Sequence, residues 1–183
     1  WREAAPGGFT YVLKYSRYGS HLKRLKDPAG HVGQFMDRAR RLRGRLGPVL
    51  VQLPPNFHAN VERLEAFLDA APDDVRWALE FRHASWLCDE VFDTLRAHHA
   101  ALCIHDLIDE HPDEITADWI YLRYHGAAQP YQGCYTHQKL SADARWIAQQ
   151  RAGGRDVYAF FNNDQRGYAP QNAIDLRRYC EDA

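Results

Sequence analysis

Short apolar runs alternate along this chain with longer segments in which apolar residues recur at helical spacing. The short runs are predicted to be strands, over residues 9–16, 49–54, 77–82, 101–105, 119–125 and 157–162. Strands that alternate with helices at this spacing are typical of a parallel sheet, because a helix is the usual crossover between parallel strands. We therefore predict an α/β fold in which these six strands are parallel neighbours in chain order.

Five helices are predicted, four in the connections and a closing one after the last strand, and local signals mark several of their ends. Apolar residues recur at helical spacing over residues 32–46, and a Gly-Pro pair at 47–48 is predicted to stop that helix. Asn60 is the predicted N-cap of the second helix, and Ser141 that of the fourth. Residues 107–118 are too few for a full crossover helix and are predicted to form a loop with a helical turn.

Polar side chains cluster where the predicted strands end. In a parallel α/β barrel these ends open on one mouth, where the chemistry takes place. Because side chains alternate between the two faces of a strand, Trp77, Leu79 and Phe81 are predicted to face the helices, which leaves Glu80 and Arg82 inside. The same rule predicts an interior lining of Lys14, Gln52, Glu80, Arg82, Arg123 and His125, with His105 and Asn162 as further members.

The predicted lining holds three fixed cations, Lys14, Arg82 and Arg123, against a single carboxylate, Glu80. A low-dielectric cleft with excess positive charge favours an anionic ligand, and the planar fork of arginine suits phosphate or carboxylate. The alternative is that Glu80 only neutralises its cationic neighbours, because a buried charge without a partner is costly. The pattern predicts an anion-binding pocket.

Glu80 and His125 are the predicted catalytic residues. Cationic neighbours favour the ionised form of Glu80, which suits it to act as a base or as an orienting group. A histidine titrates near neutrality and serves as a general acid or base. The predicted substrate contacts are Lys14, Gln52, Arg82, Arg123, His105, Asn162, Asn163, His21 and His83. For the last two histidines, which follow strand ends, a loop or capping role is the alternative.

Composition indicates one folded domain over residues 1–183, since the chain is 45% hydrophobic and can bury a sizeable core. No apolar run approaches the roughly 20 residues that a membrane-spanning helix needs. The four cysteines are scattered without a Cys-x-x-Cys pair, which is typical of free thiols in a reducing compartment. We expect a cytoplasmic protein that does not associate with membranes.

Charge is unevenly distributed. Residues 1–50 contain 11 Lys and Arg against 3 Asp and Glu, although the net charge of the whole chain is −1. Such asymmetry can mark a surface that binds nucleic acid, and this is the second functional hypothesis. The alternative is a solvated helix face. The residues that carry this hypothesis are Arg38, Arg40, Arg41, Arg43 and Arg45.

Metal and cofactor sites are not expected. His83, His105, His125, Glu80 and Asp106 would supply a histidine and carboxylate cluster, but no compact ligand spacing is present and three nearby cations would repel a metal ion. The sequence also lacks a glycine-rich phosphate loop and a dinucleotide fingerprint.

Short motifs at the strand ends recur through the whole chain in a recognisable order. They are Lys14, Ser20-His21, Leu46-Gly47-Pro48, Gln52-Leu53-Pro54-Pro55, Glu80-Phe81-Arg82-His83, Ser85-Trp86, Thr116-Ala117-Asp118, Tyr121-x-Arg123-x-His125-Gly126, Tyr131-x-Gly133-x-Tyr135 and Phe161-Asn162-Asn163-Asp164. Together they resemble the YecE-like proteins, the family of domain of unknown function seventy-two. The resemblance implies a TIM-barrel-like fold and no settled activity.

The chain departs from the family pattern at its start. It opens at Trp1, which corresponds to the residue before the family's third strand, so six of eight strands are expected. The leading functional hypothesis is a cofactor-independent hydrolase, lyase or isomerase that binds a phosphorylated or carboxylated small molecule. A non-catalytic anion-binding module is the third hypothesis, and the oligomeric state stays open.

Overall fold

The computed structural model describes residues 3–183, so Trp1, the predicted counterpart of the residue before the family's third strand, lies outside the described residues together with Arg2. In this described part of the chain, six strands form one sheet in the order β1-β2-β3-β4-β5-β6, and every neighbouring pair is parallel. The predicted order and direction are confirmed. The strands are β1 Tyr11–Lys14, β2 Leu46–Gln52, β3 Trp77–Glu80, β4 Ala101–His105, β5 Trp119–Tyr124 and β6 Asp156–Phe161.

Within residues 3–183, five α-helices lie between and after the strands: α1 Pro28–Ala39, α2 Val61–Ala70, α3 Asp89–Ala97, α4 His137–Ala152 and α5 Tyr168–Glu181. Asn60 caps α2 as predicted, since its side-chain oxygen accepts a hydrogen bond from the backbone N–H of Arg63 at 2.9 Å. A single π-helical turn, Tyr18–Leu22, follows β1. Across the described chain, no helix combines the length and the apolar character needed to cross a bilayer.

The predicted boundary between the first helix and the second strand is wrong. Helix α1 ends at Ala39, a 3₁₀ segment Arg40–Arg45 follows, and the Gly-Pro pair at 47–48 lies inside β2. The register between β1 and β2 shifts at this point, from Tyr11 opposite Leu46 to Leu13 opposite Val49. A bulge interrupts the ladder, so a proline without an N–H is tolerated there.

The predicted cap of the fourth helix is also wrong. Helix α4 begins one turn earlier, where the Thr136 side chain accepts a hydrogen bond from the N–H of Lys139 at 3.2 Å. Ser141 lies inside the helix and its hydroxyl contacts His137 Nδ1 at 3.1 Å. The helix ends before Gly153 as predicted. The connection over residues 107–118 contains turns and no crossover helix.

The chain divides into two compact units, residues 3–102 and 103–183 among the described residues. In the first unit, Trp77, Leu79 and Phe81 are buried in a core with Leu64 and Phe67 from α2. This confirms that the alternate side chains of β3 face the helices. The single-domain assignment stays a prediction.

The second unit has a core of its own. Ile120, Leu122 and Tyr124 of β5 are buried against Leu140 and Ile147 of α4. Side chains therefore alternate in β5 as they do in β3, and Tyr121 and Arg123 lie on the opposite face of the strand.

Candidate functional site

The ends of β1, β2 and β3 carry a continuous chain of polar contacts in the first unit. Lys14 Nζ donates to Gln52 Oε1 at 2.8 Å, and Gln52 Nε2 donates to Glu80 Oε1 at 2.8 Å. Arg82 Nε donates to the same carboxylate oxygen at 2.9 Å. Four residues that the sequence predicts to line the interior are thus brought together in one cluster, which we call the cationic cluster: Lys14, Gln52, Glu80 and Arg82.

Strand register explains this cluster. Gln52 lies directly opposite Glu80 in the parallel pair of β2 and β3, so their side chains project from the same face. Lys14 is paired with Leu50, two residues before Gln52, and its long side chain spans that offset. Arg82 follows Glu80 at the period of a strand and projects from the same side.

Burial separates the members of the cationic cluster. The Glu80 side chain is fully buried, whereas that of Arg82 is 22% exposed and Lys14 is exposed. A buried carboxylate that accepts a hydrogen bond from a guanidinium fixes the orientation of the guanidinium plane. Glu80 is therefore placed as the inner counter-charge, with the cationic groups nearer to the surface.

His21 adds a titratable group to the same region. It lies in the π-helical turn after β1 and is partly exposed. Desolvation by burial lowers its pKa below 6.5, and the positive charges of Arg17, Lys14 and Arg82 lower it further, against an opposing effect of Glu80. Positive potential thus predominates at His21, as the excess of predicted cations implies.

His83 has a local structural role. It is the N-cap of the short 3₁₀ helix Ala84–Trp86, since its ring accepts a hydrogen bond from the N–H of Ser85 at 3.2 Å. Its ring also packs on the ring of His58, with centroids 3.9 Å apart. The observed cap agrees with the capping role that the sequence left open for His83. Contact of His83 with a substrate stays a prediction.

The second unit gathers the other predicted residues at the ends of β4, β5 and β6. Arg123 Nη2 donates to Asn162 Oδ1 at 2.6 Å, and His105 lies opposite Arg123 in the register of β4 and β5. The rings of His111, His105 and His125 follow one another, with centroid distances of 4.4 Å and 5.8 Å.

Asp106 and Tyr135 together form hydrogen bonds with the backbone at His125 and Gly126, and we call this pair the clamp. His125 is fully buried. Asp106 Oδ1 accepts a hydrogen bond from the N–H of His125 at 2.7 Å, and its other oxygen accepts from the Tyr135 hydroxyl. That hydroxyl also accepts from the N–H of Gly126 at 2.7 Å. Burial, followed by the bond to Asp106, raises the pKa of Tyr135, so this phenol remains a donor at neutral pH.

Sequence reasoning missed the role of Asp106 and Tyr135 in this clamp. The sequence pattern places Asp106 in a histidine and carboxylate set and leaves open whether it or His105 faces inward, and it places Tyr135 within the Tyr-x-Gly-x-Tyr motif. The position of Asp106, directly after β4, was the available signal. Its partner lies 29 residues further along the chain, so no local pattern predicts the contact.

Asn162 and Asn163 have different surroundings, although the sequence predicts both as substrate contacts. Asn163 is fully buried, and its Nδ2 donates to the carbonyl of Gly133 at 2.8 Å and to Asn172 Oδ1 at 2.9 Å. These contacts tie the end of β6 to the loop before α4. Asn162, by contrast, accepts a hydrogen bond from the guanidinium of Arg123.

An open cavity of about 530 Å³ lies in the second unit, beside the connection that lacks a crossover helix. Its apolar wall comes from β4, β5 and α4, and its polar wall from the loop after β4. The lining residues include Ile104, Leu122, Trp146, Asp106, Asp109 and Arg123.

Among residues 3–183, no group of three or more His, Cys, Asp or Glu side chains is arranged to hold a metal ion.

The family profile described as "Protein of unknown function DUF72" matches residues 1–183. The crystal structure of a DUF72 family protein from Thermotoga maritima is similar, with a TM-score of 0.80 and 24% identity over 98% of this chain and 76% of that one. Two crystal structures of a DUF72 family protein from Enterococcus faecalis have TM-scores of 0.83 and 0.81, at 19% and 21% identity. They match over 99% of this chain and 78% and 82% of theirs.

No curated protein matches the chain. At these identities the likeness to solved structures shows the fold alone. The predicted fold class, a TIM-barrel-like α/β fold with six parallel strands present, is confirmed.

Proposed function

Because the chain belongs to the DUF72 family, for which no activity is established, we propose a function from its own geometry: it binds a small phosphorylated or carboxylated molecule at the ends of β1 and β3. The observation that carries this proposal is the charge balance around the cationic cluster. Lys14, Arg17 and Arg82 act together on His21, and Glu80 is the carboxylate that opposes them. An anion placed there meets net positive potential in a partly desolvated setting.

Arg82 is the proposed principal contact. Its guanidinium is oriented by a buried carboxylate, and an oriented guanidinium binds two oxygens of a phosphate or carboxylate at lower entropic cost than a mobile side chain does. Lys14 is exposed and contributes a second positive charge from the neighbouring strand end.

The proposed reaction class is acid–base chemistry without a redox cofactor, as in a hydrolase, lyase or isomerase. Glu80 and His125 stay the predicted catalytic residues, although both are fully buried in the described chain. The burial of Glu80 beneath Arg82 supports an orienting role more directly than proton transfer with a ligand. A non-catalytic anion-binding module would use the same contacts without turnover.

Isothermal titration with inorganic phosphate tests the binding proposal. We expect Arg82→Met to weaken phosphate binding by about tenfold or more, since a charge-assisted hydrogen bond contributes about 1.5–3 kcal/mol. Arg41→Met is the matched control, because Arg41 is an exposed arginine on the 3₁₀ segment after α1. Equal affinity of the Arg82 variant and the unaltered chain would refute the proposal.

The same two variants test the nucleic-acid alternative. A polyanion partner that uses the arginines of residues 38–45 should bind with a steep dependence on salt concentration, and Arg41→Met should reduce that slope. A small anion should show a shallow slope that this substitution leaves unchanged. Turnover in a panel of phosphorylated and carboxylated compounds, measured by nuclear magnetic resonance of the products, then separates an enzyme from a binding module.

A further inference from the structure

His21 is held by a specific hydrogen-bond chain within the turn that follows β1. The Ser20 hydroxyl lies 3.0 Å from the carbonyl oxygen of Ser16 and 2.9 Å from His21 Nδ1. Ser20 itself is buried, and both contacts are partly buried. One ring nitrogen of the imidazole, Nδ1, is therefore linked by hydrogen bonds through the Ser20 hydroxyl to the backbone of the turn.

This chain assigns the tautomer of His21. A serine hydroxyl has one hydrogen, and the carbonyl of Ser16 can only accept, so Ser20 donates its hydrogen to that carbonyl. The serine oxygen is then the acceptor for His21 Nδ1, which must carry a hydrogen. In the neutral ring the other nitrogen, Nε2, consequently has no hydrogen and presents a lone pair.

The charges around the ring favour this neutral form. Arg17 lies on the same turn, Lys14 comes from the end of β1 and Arg82 from the end of β3, and each opposes a positive charge on His21. Glu80 is the group among its electrostatic neighbours that favours the charged form. His21 therefore places one basic nitrogen beside the cationic groups of Lys14, Arg17 and Arg82, which can only donate hydrogen bonds.

We propose that His21 accepts a hydrogen through Nε2 from a hydroxyl group that the ligand carries next to its anionic group. The ligand class is then a hydroxylated phosphate ester or a hydroxy acid. This inference rests on the proposed function, because the anion must bind to the cationic cluster for its hydroxyl to reach the ring. A ligand without such a hydroxyl would leave the acceptor without a donor, a loss that discriminates between otherwise similar molecules.

The same contact supplies a proton-transfer step. The O–H bond of the ligand breaks, its proton forms an N–H bond at Nε2, and the bonding electron pair stays on the oxygen as an alkoxide. The bound anionic group offsets the charges of Lys14, Arg17 and Arg82, so the imidazolium that forms is less opposed than in the empty site. Anion binding thus makes His21 a stronger base when a substrate is present.

Two esters that differ by one hydroxyl group, ethyl phosphate and 2-hydroxyethyl phosphate, test the inference by isothermal titration. We expect the unaltered chain to prefer the hydroxylated ester by about fivefold, the factor that corresponds to one net hydrogen bond. His21→Ala should bind both esters equally. His21→Gln should retain a preference, because its side-chain carbonyl can accept a hydrogen bond. His98→Gln is the matched control, since His98 lies near Asp69 on α2.

Nuclear magnetic resonance of the unaltered chain gives an independent readout. The ¹⁵N shifts of His21 should show a protonated Nδ1 and an unprotonated Nε2, and ethyl phosphate should raise the pH at which the ring titrates. The opposite tautomer, or equal affinity of the unaltered chain for the two esters, would overturn this inference and leave the proposed function standing. Failure of the unaltered chain to bind either ester would overturn both.

Discussion

Replacement of Glu80 by Gln tests whether the buried carboxylate holds the cationic cluster together. Gln is nearly isosteric and its carbonyl oxygen can still accept hydrogen bonds from Gln52 and Arg82, so the substitution removes charge with little change of shape. Arg82, whose side chain is only 22% exposed, would then lack its buried counter-charge. The test therefore isolates the electrostatic part of the contact.

The expected magnitude follows from burial. Removal of one partner of a fully buried ion pair costs about 3–5 kcal/mol. Because Arg82 retains access to water, we expect a loss near the lower end of that range, about 3 kcal/mol. For a chain of this length, that loss corresponds to a fall in the melting temperature of about 6–12 °C. Exposed Glu65 on α2 supplies the control, and Glu65→Gln should stay within about 0.5 kcal/mol of the unaltered chain.

Urea denaturation followed by circular dichroism measures the free energy of unfolding of Glu80→Gln, Arg82→Met and the double variant. If the two side chains form one stabilising pair, the double variant should lose less stability than the sum of the single losses, with a coupling of about 1–3 kcal/mol. The reasoning fails if the losses are additive, or if Glu80→Gln matches the Glu65 control. A near-neutral Glu80→Gln with altered phosphate affinity would instead support the predicted functional role of this carboxylate.

Three further predictions concern the loop after β5 and His21, which lies near the cationic cluster. Gly126→Ala should destabilise the chain by about 3 kcal/mol in urea denaturation, because φ at Gly126 is +151° and a Cβ would overlap the carbonyl oxygens of Gln129 and Gln132. Gly154→Ala is the control: φ there is +86° but the space around a Cβ is open, so the loss of stability should be only about 1 kcal/mol. Equal losses for the two variants would refute the overlap at Gly126. Tyr135→Phe should cost about 1–2 kcal/mol in the same assay, because the N–H of Gly126 loses its acceptor, whereas exposed Tyr18→Phe should cost almost nothing. The lowered pKa of His21 means that the unfolded chain binds more protons just below pH 6.5, so stability should fall as pH falls through that region. His21→Gln should flatten this part of the curve of unfolding free energy against pH, and an unchanged curve would contradict the sign.

The facing of side chains could be predicted because it depends on a local pattern, and strand order could be predicted from the general rule that alternating strands and helices add neighbouring parallel strands. Side chains alternate with a period of two, so Trp77, Leu79 and Phe81 are assigned to the helix side from their own strand alone. The Asn60 cap is equally local, since its partner is three residues away. Conversely, the Gly-Pro pair at 47–48 was misassigned because the bulge that accommodates it depends on register with a different strand.

The candidate site divides in the same way. The sequence by itself determined which polar residues share the inner face of each strand, but the contacts among Lys14, Gln52, Glu80 and Arg82 also depend on the register between neighbouring strands. Only the tertiary structure decided that Glu80 is fully buried while Lys14 is exposed, because burial depends on everything that packs around a side chain. The clamp between Asp106 and Tyr135 likewise joins residues 29 positions apart, and chain folding alone brings them together.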